Sequence, residues 1–180
     1  MKKILLIFLL PVLLASSCKK NKSPEEQLPP ETQTGAGTFG CLVNGNVFLP
    51  KGNPLGGPIL SCAYQFINGG YYFHLAAKSQ TTALTGVAIN TDSLQIKANS
   101  TYILEDFFKK HAASGQYFVA DNNNISTEYL TKPTITGEMK ITRLDEINRI
   151  VSGTFWFDAI NSSGVKVQVR EGRFDMKYTL

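Results

Sequence analysis

The chain has 180 residues, 43% of them hydrophobic, and a formal charge of +4 from 18 basic and 14 acidic side chains. Lys2 and Lys3 belong to an N-terminal leader, so 16 of the 18 basic residues face 14 acids in the rest of the chain, a net of +2 that is scattered along its length. That balance excludes nucleic-acid binding through a basic patch, which needs cations gathered on one face, and the length suits one ordinary domain.

An apolar run from Ile4 to Leu14 follows the two lysines and closes on Ala15-Ser16-Ser17-Cys18. A run of this length reads as a secretory signal over residues 1–17, too short for a permanent transmembrane helix. Small residues directly before a cysteine resemble the bacterial lipobox, in which the thiol takes up a diacylglyceryl group and cleavage leaves the acylated cysteine first. The resemblance implies lipidation at Cys18, labelling by palmitate, and the membrane as a partner through this anchor. Ala15 stands where lipoboxes usually carry leucine, and Ala15 and Ser17 also suit ordinary signal peptidase, so plain secretion is the alternative. Lys19 stands in place of the aspartate that signals inner-membrane retention, which points to the outer membrane, with the domain facing the periplasm or the cell surface.

Residues 18–37 mix Pro24, Pro29, Pro30, Gly35 and Gly37 with Lys, Glu, Gln, Ser and Thr, and their apolar members after Cys18 are Leu28 and Ala36. Such a stretch buries too little surface to offset its ordering entropy and reads as a flexible tether. The domain is expected over 38–180. Its first hairpin is centred on Asn44-Gly45, which accepts the positive φ of a type I′ turn. Pro50 to Pro58 is a loop. A second hairpin joins Ile59–Ile67 to Tyr71–Ser79 through Asn68-Gly69-Gly70. Short strands follow over 83–89, 93–96 and 101–104, then a single helical turn over Glu105 to Ala113, then strands over 116–120 and 125–131 around Asp121-Asn122-Asn123-Asn124. The C-terminal third alternates clearly, with strands over 138–144, 150–160, 165–170 and 173–178 and a break or bulge at Gly172. It places Phe155, Phe157, Ala159, Val165, Val167, Val169, Phe174, Met176 and Tyr178 on the core face and Thr154, Asp158, Lys166, Gln168, Arg173, Asp175 and Lys177 opposite. One dry and one wet face indicate antiparallel sheet. The fold class is all-β, a single antiparallel β-sandwich or partly closed β-barrel with a C-terminal meander.

With Cys18 acylated, Cys41 and Cys62 form an even pair in an oxidising compartment, and a disulfide is expected; the alternative is two buried thiols that never meet. The stretches "FGCLVNGNVFLP", "ITRLDEINRIVSGTFWFDA" and "GRFDMKY" resemble a family of small all-β bacterial envelope lipoproteins of unknown function, built from a lipobox, a polar tether and an antiparallel β domain. The resemblance covers most of 38–180 and implies location and fold; it carries over no site residue.

Chemistry-bearing residues are sparse. His74 and His111 lack the spacing of a metal or catalytic pair and read as one strand histidine and one solvated histidine. Asp158 and Asp175 share the polar face, as the two carboxylates of a glycosidase do, but Arg173 and Lys177 beside them make a cross-strand charge ladder the simpler reading. Asp121 to Asn124 lacks the calcium-loop pattern and reads as a polar loop. No nucleophile elbow, metal motif, phosphate loop or cofactor motif is recognisable, which argues against an enzyme. Trp156 stands out: alternation puts the one tryptophan opposite Phe155 and Phe157, beside Asp158. It is either a ligand platform, with Asp158 as a polar neighbour, or the centre of a covered satellite core. The function expected is a lipid-anchored envelope module that binds a small ligand, glycan or protein partner. The alternatives are an accessory subunit of an outer-membrane assembly and a lipocalin-like carrier of an apolar ligand.

Overall fold

Turn chemistry sets the first two hairpins in the computed structural model, which describes residues 22–53, 57–81, 83–120 and 126–180. Asn44 at φ 49° joins β1 (Thr38–Val43) to β2 (Asn46–Phe48), and Asn68 at φ 50° joins β3 (Leu60–Ile67) to β4 (Gly70–Gln80). Both are two-residue turns whose left-handed backbone matches the twist of the flanking strands, so Gly70 lies in the ladder opposite Ile67. The remaining strands are β5 (Leu84–Asp92), β6 (Ser100–Leu104), β7 (Ala112–Ala120), β8 (Ser126–Leu130), β9 (Gly137–Asp145), β10 (Ile150–Ile160) and β11 (Lys166–Lys177).

These strands form one sheet in the order β2-β1-β11-β10-β9-β6-β7-β5-β4-β3, with β8 bridging β7 and β10. Strand pairing is antiparallel except between β6 and β7. The sheet curls on itself: the Tyr64 amide donates to the Thr179 carbonyl at 2.9 Å and the Thr179 amide to the Cys62 carbonyl at 3.0 Å, so β3 reaches the chain just beyond β11. The all-β antiparallel class expected from alternation is the class found.

Inside the curl, Phe155 meets Phe39 at 5.5 Å and Phe174 at 6.3 Å between ring centroids, and Phe73 meets Phe174 at 6.2 Å. Two glycines make room for these rings. A Cβ on Gly172 would fall 2.5 Å from the Phe155 ring, and one on Gly115 2.9 Å from Phe157. The small-residue run Ala112-Ala113-Ser114-Gly115 is the start of β7, with Gly115 lying against the Phe157 ring.

That overturns the helical turn expected over Glu105 to Ala113, where turns over 107–111 lead directly into the strand. Residues 93–96 are likewise no strand; Ile96 is buried as a plug, its amide donating to the Tyr64 hydroxyl oxygen at 3.2 Å. Val165 is exposed in the turn before β11 and not in the core. Cys41 and Cys62 are free buried thiols, and the expected disulfide is not formed. Their strands do not pair, since β1 lies between β2 and β11 while β3 pairs with β4. Cys41 sits near Tyr117 and Cys62 near Tyr178.

Packed structure also begins before residue 38. Ser23 and Glu26 cap a short 3₁₀ turn over Glu25–Gln27 reciprocally, the Ser23 amide on the glutamate at 2.8 Å and the Glu26 amide on the serine hydroxyl at 3.3 Å. Leu28 is buried, and Pro29 lies so close to Gly40 that a Cβ there would stand 2.6 Å from the proline ring. Between Leu28 and Gly37 the chain is thus a strap on the sheet's outer face. Cys18 lies outside the described residues.

A candidate ligand cleft around Trp156

The outer face acquires its shape from one extra residue in β11. Phe155 pairs with Gly172 and Phe157 with Val169, so Trp156 alone faces both Arg170 and Glu171. On the other side Cys41 alone faces Glu171 and Gly172. Glu171, at φ 53°, is the surplus residue in both registers, a β-bulge. Its effect is to turn two consecutive side chains, Arg170 and Glu171, outward, while Val169 and Gly172 on either side still face in. The expected interruption at Gly172 is therefore real but lies one residue earlier.

Across the bulge, Trp156 is 39% exposed, so it is no covered satellite core. The Arg170 guanidinium stands over its ring at 5.3 Å from the centroid. That guanidinium is held from behind: Nη1 donates to the carbonyls of Val169 at 2.8 Å and Phe157 at 3.0 Å, and Nη2 to Asp158 Oδ1 at 2.5 Å. Asp158 consequently acts on Trp156 indirectly, by fixing the cation that covers it. Sequence reasoning put Trp156 and Asp158 on one face but did not single out Arg170, which becomes the indole's partner only once the register that pairs Phe157 with Val169 is known.

A cleft of about 450 Å³ opens beside the ring. Register explains its floor: Glu138 pairs with Trp156, and Lys140 pairs with both Thr154 and Thr101, the last on β6. Arg173, opposite Thr154, closes the row, its Nη2 3.3 Å from Glu171 Oε2. Glu31 of the strap forms the remaining wall. Among the described residues the side chains of Glu31, Glu138 and Lys140 have no hydrogen-bond or ion-pair partner, so charged donors and acceptors are presented to solvent around an aromatic surface.

Other sequence candidates lie elsewhere. Asp175 pairs in register with Ser152, and Asp158 lies six residues further along β10, which separates the carboxylates by roughly 20 Å at the rise of a strand; they form neither a catalytic pair nor one ladder. His74 Nδ1 is 2.6 Å from Asn90 Oδ1, while His111 Nδ1 is 3.2 Å from the Ser93 carbonyl, each exposed. No group of three or more metal-ligating side chains occurs among the described residues. Asp121 to Asn124 lie outside them.

The span that builds this cleft decides the affiliation. A family profile described as a domain of unknown function (DUF6252) matches residues 74–176. The chain belongs to that family. The matched DUF6252 segment runs from within β4 to the penultimate residue of β11 and contains Trp156, Asp158, Arg170 and Asp175, whereas the strap and both buried cysteines precede it. No curated protein and no solved structure matches the chain.

Proposed function

We propose that this protein is a lipid-anchored envelope module that holds a carbohydrate in the Trp156 cleft, with Cys18 as the anchor and the outer membrane as its location. The observation that carries the reading is the exposed indole, stiffened by Arg170 and surrounded by unpaired polar side chains. A sugar ring offers an apolar C–H face and a rim of hydroxyls; the indole suits the first, and carboxylates and cations suit the second. The apolar-carrier reading has less support, because the interior is occupied by Phe39, Phe73, Phe155, Phe157 and Phe174. A protein partner is favoured by one separate observation, the β3–β4 hairpin tip, where Phe66 is 63% and Ile67 45% exposed.

A screen of soluble oligosaccharides by calorimetry tests the proposal. Binding that Trp156→Ala weakens by about 1–3 kcal/mol with unchanged thermal stability supports it. Binding unaffected by that substitution, or no binding to any saccharide while a protein partner is captured through Phe66, contradicts it.

A further inference from the structure

One buried carboxylate ties the strap to the domain. Asp175 stands on the outer face of β11, where alternation promises water, yet it is 1% exposed. Its cover is the strap. Oδ2 accepts from the Thr32 hydroxyl at 2.7 Å, the Thr34 amide at 2.9 Å, the Thr34 hydroxyl at 3.2 Å and the Ala36 amide at 3.2 Å. Oδ1 accepts from the Gly35 amide at 2.7 Å and from the Ser152 hydroxyl on β10 at 2.8 Å. Three successive amides converge on one carboxylate because Gly35, at φ 73°, turns the chain through a left-handed conformation, which makes a backbone nest for an anion. The contact is reinforced from two sides: the Gly37 amide donates to the Asp175 carbonyl at 2.8 Å, and Arg143 donates to the Gln33 carbonyl.

The residue directly before this clamp is Glu31, which lines the cleft together with Arg173 and Lys140. We infer that Asp175 is a positioning residue for the cleft: by clamping Thr32 to Ala36 onto the sheet, it places Glu31 as a wall of the Trp156 site, so the segment leading back to Cys18 builds part of that site. The inference rests on the cleft reading only in treating this surface as the place where a ligand sits. It gives the strap a role as a detachable wall, since the hydrogen bonds from Thr32, Thr34, Gly35 and Ala36 gather on one carboxylate and not along a strand ladder.

The test needs no ligand, so its failure is separate from failure of the carbohydrate reading. In the full chain, amide exchange reports the clamp, and quenching of the single tryptophan by iodide reports the wall, because a carboxylate at Glu31 repels the anion. Asp175→Asn should speed exchange at Thr34, Gly35 and Ala36 by about tenfold or more and raise the iodide quenching constant about twofold at low salt. Glu31→Gln should raise iodide quenching alone and leave exchange unchanged. The double substitution Thr32→Val with Thr34→Val, which leaves the sheet intact, should reproduce Asp175→Asn in milder form. Unchanged exchange in both clamp variants overturns the clamp. Faster exchange with iodide quenching unchanged in every variant overturns the placement of Glu31.

Discussion

Trp156 and its neighbours show how far a single side chain carries the functional reading. Alternation alone puts the indole outside, and the structure adds that Arg170 covers part of it while Asp158 and two carbonyls fix Arg170. Arg170→Lys should therefore not be a mild change, because an ammonium lacks the planar fork that meets a carboxylate and a ring together. We expect ligand affinity to fall about tenfold in Arg170→Lys, measured by the same calorimetry, with little change in stability. The buried thiols give a second prediction at this scale. Burial pushes the Cys62 thiol up to about 12 and Cys41 higher still, so neither supplies thiolate at neutral pH. Both should resist a thiol reagent in the folded protein at pH 8 and react without reductant once it is denatured. Failure to react after denaturation would show a disulfide that the structure does not have.

At the scale of elements, the bulge in β11 is the decisive device, because one surplus residue creates the Arg170-Glu171 pair and keeps Val169 and Phe174 both inward. Gly172 is locked beside it by the Phe155 ring. Gly172→Ala should destabilise by about 1–3 kcal/mol, read by urea unfolding, since the added methyl must displace a packed phenyl ring; Phe155→Leu in the same chain should recover part of the loss. Much of this element was legible in the sequence. Asn44-Gly45, Asn68-Gly69 and the alternation from Thr154 to Ile160 are local rules that the fold obeys. The run from Glu105 to Ala113 misled because alanines favour helix locally, whereas Ala112 and Ala113 begin a strand whose Gly115 leaves room for the distant Phe157 ring. The strap was missed for the same reason: Thr32 to Gly37 looks like a solvated linker until Asp175, some 140 residues away in the chain, is placed beneath it. Ser23 and Glu26 did carry a readable signal, the spacing of a capping box.

For the whole molecule, the strap joins the expected membrane anchor to the cleft through one ionised group. Burial raises the Asp175 pKa, but hydrogen bonds from Thr32, Thr34, Ser152 and Gly35 outweigh it and hold the carboxyl below the usual range. A carboxylate of depressed pKa stabilises fully above its unfolded value, about 3.9, and loses that contribution as pH falls toward the folded one. Asp145, lowered by Asn148 and Arg143, acts in the same direction beside the strap. Amide protection at residues 34–36 should therefore hold from neutral pH to about pH 4 and weaken below it, earlier than protection in β10. Cys18→Ala should move the protein from the membrane to the soluble fraction or leave it unprocessed; continued palmitate labelling of that variant would refute the anchor. The central claim is that the outer face around Trp156 is a ligand site, and its most direct measurement is fluorescence of that one tryptophan. Acrylamide should quench it readily in the free protein, and a bound oligosaccharide should protect it, with protection lost when Lys140 and Arg173 are both changed to alanine. An indole already shielded in the free protein, or one that no saccharide protects, would contradict the account.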